Sequence, residues 1–254
     1  MQYIALHTKI PIPKLFAVHI HDGGIYVEMA YIKYPTLGYV WHSLSTSQKN
    51  SIYVDLVQHT SSLRELLPPI EGVVSSAFQN PAYDSRVGSS YLGPLSHDNF
   101  HSVVRGQMPL GRTAELVGQE AVELHTNHYR TCFTHGNLTP RNIMVKNGHV
   151  VAIIDWDSAG WFPEYWEYTK AHYTALGNDD EELIQLALTK YYLELEAERI
   201  LWTKLPEQGT PGFVSRSGLL FRHQGSAPSK AWLEARKIHP KKDLWAIELA
   251  RHQD

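Results

Sequence analysis

The chain has 254 residues, 43% of them hydrophobic and 19% charged, with a net charge of −3. That length supports a sizeable core, as one large domain or two joined lobes. The balanced charge leaves no basic field for nucleic acid or an anionic membrane. Cys132 is the single cysteine, which excludes an intramolecular disulfide and fits a reducing, cytoplasmic compartment. The opening segment MQYIALHTKIPIPK lacks the apolar core of a signal peptide, and no window approaches a membrane span.

Residues 3–8 are expected to end a helix ahead of Pro11 and Pro13, since proline disfavours the α region in the residue before it. Lys14 to Ile20 and Ile25 to Tyr31 read as two strands joined by a turn at Asp22-Gly23-Gly24. Ser45-Thr46-Ser47-Gln48 has the form of a capping box. Ile52, Leu56, Leu63 and Leu67 then keep one helical face up to Pro68-Pro69. Residues 68–112 are rich in Gly, Pro, Ser and Asn, with a short helix around Asp98 to Val104. A further helix is predicted over about Thr113 to Arg130, with Leu116, Val117, Ala121 and Leu124 inward.

The chain has 15 histidines, including His97 and His101 at i, i+4 and His125 and His128 at i, i+3. A zinc site needs three or four convergent ligands, and no cysteine cluster or HExxH accompanies these. Surface or partly buried histidines are therefore expected.

Phe133 to Tyr168 reads FTHGNLTPRNIMVKNGHVVAIIDWDSAGWFPEYWEY. Asn147-Gly148 between apolar, β-branched runs predicts a hairpin with a type I′ turn, because both residues tolerate positive φ. That turn pairs Lys146 with His149 and Val145 with Val150, and the same register sets Asn142 opposite Ile153. An amide oxygen and the Asp155 carboxylate then converge at one end of a short ribbon, with His135 and Asn137 on the preceding loop. Such oxygen ligands suit Mg²⁺, which takes one or two protein oxygens plus substrate phosphates. The aromatics Trp156, Trp161, Phe162, Tyr165, Trp166 and Tyr168 are expected in the core, since no basic groove accompanies them. A helix starts at Gly177-Asn178-Asp179, with Leu183, Leu186, Ala187, Ile200 and Leu201 packing inward. From Leu205 no sustained period remains until a helical bias at 230–251, around Trp232 and Trp245.

These motifs resemble the catalytic core of the aminoglycoside phosphotransferase and choline kinase-like family, relatives of the protein kinases. Its pattern is a His-Gly-Asp-Leu loop, an Asn five residues after the Asp, a hairpin, Ile-Asp-Trp, and an Ala-Gly-x-x-Pro-x-x-x-Glu run. Here these are His135-Gly136-Asn137-Leu138, Asn142, Ile154-Asp155-Trp156, and Ala159-Gly160 through Pro163 to Glu167. The resemblance implies an α+β, protein-kinase-like fold. Its parts are a remnant of the small lobe and hinge over 1–34, a helical large lobe over 35–204, and a linker and tail over 205–254.

The resemblance also implies ATP and Mg²⁺ as cofactors and a small hydroxylated acceptor. Adenine would meet a hinge at Glu28, Ala30 and Ile32. Asn142 and Asp155 would hold Mg²⁺, and His135 would brace the main chain beside Asp155. Arg141 would approach phosphate or solvent, and Asp157 would be a supporting or surface carboxylate. Asn137 stands where the family has its catalytic Asp. An amide orients a hydroxyl but is not a useful base, and loss of general-base action typically costs ~10²–10⁴ in rate. No glycine-rich loop followed by a strand Lys precedes residue 20, so the phosphate-holding front of a kinase-like small lobe is expected to be missing. Three readings stay open: an impaired or inactive phosphotransferase, a working small-molecule kinase, and a non-catalytic scaffold with a protein partner.

Overall fold

A computed structural model of the chain describes residues 1–21, 24–88, 91–175 and 178–204. Asp22, Gly23, Gly177 and the predicted linker and tail over 205–254 lie outside the described residues. Helix α1 (Gln2–His7) ends at Thr8, whose backbone is extended. Strands β1 (Leu15–His21) and β2 (Gly24–Met29) pair antiparallel, with a bulge at Phe16. Helix α2 (Leu37–Val40) is capped by the Thr36 side chain. Helix α3 (Thr46–Arg64) starts with the capping box expected of Ser45 and Gln48. Ile52, Leu56 and Leu63 are buried, but Leu67 is 85% exposed because the helix has already stopped at Arg64.

Strand β3 (Val73–Ser76) and strand β4 (Leu95–Ser96) frame the glycine- and proline-rich segment, and helix α4 (His97–Val104) follows with Ser96 as its cap. The helix predicted over 113–130 is two, α5 (Leu110–Val117) and α6 (Gln119–Leu124). Gly118 between them has φ +93°, which takes the backbone out of the helical region. The break changes the facing: Val117 and Ala121 are buried, whereas Leu116 is exposed. Strands β5 (Thr131–Thr134), β6 (Ile143–Lys146), β7 (His149–Ile153) and β8 (Gly160–Pro163) follow. Then come helices α7 (Trp166–Thr174), α8 (Asn178–Ala187) and α9 (Tyr192–Lys204). Leu183, Ala187 and Leu201 face inward as expected, while Leu186 and Ile200 are exposed. No helix among the described residues is long and apolar enough to cross a membrane.

A four-stranded sheet in the order β4-β3-β8-β5 was not foreshadowed by the sequence. Its strands are two to four residues long, too short for alternation to register against a helical period. The aromatic run belongs to this sheet and the helix after it. Trp161, Phe162, Tyr165, Trp166 and Tyr168 are each at most 1% exposed.

Every residue of α7 is buried. Its polar side chains therefore need partners, since an unpaired buried charge costs several kcal/mol. Lys170 finds Asp84 at 3.0 Å and donates to Ser85 Oγ at 3.1 Å. Asp84 also accepts from Trp166 Nε1 at 2.8 Å.

His101 and His125 are core residues stacked at 4.8 Å. His101 Nδ1 donates to the His125 carbonyl at 2.9 Å, and Arg105 donates to His125 Nδ1 at 3.2 Å. Burial, helped by His97 and Arg105, pushes the His101 pKa down to about 3. The folded chain thus keeps His101 neutral while the unfolded chain protonates it near pH 6.5. Its contribution is complete above that pH and is lost as the pH falls toward 3. At pH 5 the loss from His101 is expected to be about 2 kcal/mol. Urea unfolding at pH 7 and 5 should show a smaller pH effect in His101→Gln than in the unmodified chain; equal losses would refute the assignment.

Candidate active site

Strand β5 delivers the loop His135-Gly136-Asn137. Gly136 has φ +76°, and a Cβ there would lie 2.6 Å from the Ser158 carbonyl oxygen, so only glycine fits. Glu167 on α7 accepts from the His135 N–H at 2.5 Å and from the Gly136 N–H at 3.2 Å. The His135 ring accepts the Asn137 N–H on Nδ1 at 3.1 Å and donates from Nε2 to the Ile154 carbonyl at 3.0 Å. These contacts require the neutral ring, and burial pushes its pKa down to about 4 against the pull of Asp155.

The β6–β7 hairpin turns at Asn147 (φ +52°) and Gly148 (φ +80°), the type I′ signature. Its register departs from the predicted one. Val145 pairs with Val150 but Met144 pairs with Ala152, so Val151 is bulged out and Ile143, not Asn142, faces Ile153. The Ile154 N–H then donates to the Asn142 carbonyl at 2.9 Å. A bulge adds one residue to one strand and sharpens the local twist, which carries Asn142 one position nearer Asp155. Both hairpin edges are anchored, Val145 N–H to Pro35 O at 3.0 Å and Ile153 N–H to Pro11 O at 2.8 Å. Asp155 itself has φ +66°. A non-glycine residue there stores about 1–3 kcal/mol of strain, a feature that clusters at functional sites.

At the centre, Asp155 Oδ2 accepts from Asn137 Nδ2 at 2.6 Å and from Asn142 Nδ2 at 3.3 Å. Asn142 Nδ2 also donates to the Asn137 carbonyl at 2.9 Å, which turns its amide oxygen away from these contacts. Arg141 Nη2 donates to Asn137 Oδ1 at 3.3 Å, and Nη1 donates to the Thr174 carbonyl at 3.3 Å with Asp180 at 3.9 Å. Arg141 is thus held by the protein. Asp157 is exposed and accepts from Ser158 Oγ.

The chemistry of this donor set fits a hard cation. One carboxylate and one amide are the residue types that suit Mg²⁺ with water and phosphate as its other ligands, and the Asn142 amide, whose Nδ2 faces Asp155, would have to turn over to present its oxygen. Among the described residues no three His, Cys, Asp or Glu side chains gather as a soft or dedicated metal cage would need.

Of the hinge candidates, Glu28 lies in β2 and accepts from His19 Nε2 at 3.1 Å. The Ala30 N–H donates to the Lys14 carbonyl at 2.8 Å, and Ile32 follows the strand half-buried. Motif spacing marks the position of Glu167 but not its partners. One signal was available: a carboxylate inside a run of buried aromatics must find donors. Thr174 and Asp180 carried no comparable sequence signal.

No curated protein matches the chain. Among solved structures, it is similar to a thermostable mutant of the aminoglycoside phosphotransferase APH(4)-Ia in apo form. That match has 13% identity, covers 78% of this chain and 71% of that chain, and has a TM-score of 0.52. The unmutated APH(4)-Ia gives 13%, 78%, 70% and 0.51. A ternary complex of a thermostable APH(4)-Ia mutant with AMP-PNP and hygromycin B gives 13%, 78%, 70% and 0.52. These likenesses show the fold, which is protein-kinase-like with mixed helices and small sheets. Residues 1–204 match the phosphotransferase enzyme family, APH, and the chain belongs to that family.

Proposed function

We propose that the chain has the architecture of an ATP- and Mg²⁺-dependent small-molecule O-phosphotransferase and that its turnover is impaired or absent. The observation that carries this reading is Asn137, whose amide donates to Asp155 and accepts from Arg141. A hydroxylated acceptor placed there meets no carboxylate base, and the amide oxygen is already engaged. Loss of the base costs typically ~10²–10⁴. Phosphoryl transfer depends mainly on positioning and charge neutralisation, so residual turnover is compatible with the site.

In this reading Asp155 and Asn142, its amide turned to present oxygen, would hold Mg²⁺, which when bound neutralises the nucleotide phosphates. His135 fixes the main chain on both sides, at Asn137 and Ile154. The hinge over Glu28 to Ile32 takes adenine through main-chain groups other than the Ala30 N–H, which Lys14 occupies. AMP-PNP in the APH(4)-Ia complex supports a nucleotide as the ligand. We assign 1–34 to the small lobe and hinge and 35–204 to the large lobe, with nucleotide and small acceptor as partners, without nucleic acid or membrane, in the cytoplasm.

A scaffold reading has one observation in its favour. The outer face of the β1–β2 hairpin exposes Phe16, Val18, Ile20, Val27 and Met29, and apolar patches of this kind mark interaction sites.

A thermal-shift comparison separates the two. Mg²⁺–ATP at ~100 times its Kd should stabilise the unmodified chain by about 2.7 kcal/mol and leave Asp155→Ala unshifted. Equal shifts in both proteins would place the ligand elsewhere.

A further inference from the structure

Six buried polar side chains meet where α4, α6 and α9 close on the segment between β3 and β4. Arg86 comes from that segment, His101 from α4 and Glu198 from α9. Arg105 and His125 are the residues that end α4 and α6, and Tyr165 is the residue before α7. Each is at most 6% exposed. Direct contacts chain them together. Arg86 Nε donates to Glu198 Oε2 at 3.1 Å, and Arg105 Nη1 donates to His125 Nδ1 at 3.2 Å. The His101 ring stacks on His125 at 4.8 Å and lies 6.0 Å from the Tyr165 ring.

Five polar atoms of this cluster find no partner among the described residues: Arg86 Nη2, His101 Nε2, Arg105 Nε, Tyr165 Oη and Glu198 Oε1. Each carries its full desolvation cost, so five in one place call for a ligand. The bonds already made fix what that ligand must offer. His101 Nδ1 donates to the His125 carbonyl at 2.9 Å, which leaves Nε2 as an acceptor. His125 Nδ1 accepts from Arg105, so its Nε2 carries the proton, 3.8 Å from Glu198 Oε1 and beyond hydrogen-bond reach. Burial, with Glu198 adding to it, holds the Tyr165 phenol in its protonated form.

The open groups are therefore mixed: guanidinium and phenol donors beside a carboxylate and an imidazole acceptor. A small anion would serve the donors alone and would lie against the Glu198 carboxylate. Water donates and accepts, and can serve them all. We propose that the cluster is a closed hydration site, in which ordered water bridges Tyr165, His101 and Arg105 to Glu198 and Arg86. At about three bonds for each buried water, about two waters satisfy the five atoms. Such bridges hold nearly as well as direct hydrogen bonds. They would fasten α9 to α4 and to the segment between β3 and β4. The site uses no residue of the polar centre at Asp155, so it stands apart from the phosphotransferase reading.

The test is the sign of the stability change in Tyr165→Phe, which removes the phenolic oxygen and little else. If water holds that oxygen, the unfolding constant from urea titration should rise about fivefold, the scale of one lost hydrogen bond. If the site is dry, the variant sheds an unpaired buried group and should be more stable, which overturns the proposal. A crystal structure of the unmodified chain, fine enough to show water and grown with bromide, is the second arm. It should place water within hydrogen-bond distance of Tyr165 Oη, Arg105 Nε and Glu198 Oε1. A direct Tyr165–Glu198 hydrogen bond with no water between them would overturn the proposal, even where Tyr165→Phe is destabilised. Bromide scattering at the cluster would make it an anion site and overturn the proposal as well. If Tyr165→Phe does not fold, the crystal structure decides.

Discussion

Lys170→Ala is expected to lower the stability of the folded chain by about 3–5 kcal/mol, the usual consequence of removing one partner from a buried ion pair. Lys170 and Asp84 are 1% and 0% exposed at their side chains. Without the ammonium, the donors that Asp84 keeps among the described residues are the Trp166 indole and the Arg86 N–H. Those two bonds keep the expected effect from being larger. Asp84→Asn added to Lys170→Ala should recover part of the loss, because the stranded charge is then gone. Urea unfolding of the single and double variants checks this. A single-variant loss below about 1 kcal/mol, the scale of an exposed pair, would show that the pair contributes little.

Asn137→Asp is expected to make stability depend on a divalent cation. The change replaces a donor 2.6 Å from Asp155 Oδ2 with a second carboxylate. It removes a charge-assisted hydrogen bond, about 1.5–3 kcal/mol, and adds like-charge repulsion that raises the pKa of one of the two acids. Together these amount to about 3–5 kcal/mol in EDTA. Arg141, which donates to Asn137 Oδ1 in the present chain, offsets some of it. Mg²⁺ should restore most of the loss in Asn137→Asp while shifting the unmodified chain far less in the absence of nucleotide. A loss indifferent to Mg²⁺ would remove the cation from this polar centre.

Much of the local structure was legible in the residues. The capping box at Ser45 and Gln48 and the type I′ turn at Asn147-Gly148 depend only on short-range geometry, and both stand as read. The aromatic run after Asp155 is core, as its lack of basic neighbours suggested. Where the reading missed, a single residue usually changed the geometry. Gly118 split one helix into two, and the Val151 bulge moved Asn142 by one position. Neither residue announces itself, because a glycine inside a helical pattern and a valine inside a strand are both ordinary.

The sequence by itself determined the order of the motifs and the presence of an amide at position 137. It also set the turn that brings Asn142 back toward Asp155, because turn chemistry acts over two residues. Only the tertiary structure decided what those groups touch. Glu167 reaches the loop across 32 positions, Thr174 reaches Arg141 across 33, and Lys170 reaches Ser85 across 85. Such pairings follow from how α7 packs against the short-stranded sheet. A buried polar group takes whichever donor or acceptor the packed core places beside it, and no local pattern specifies that neighbour.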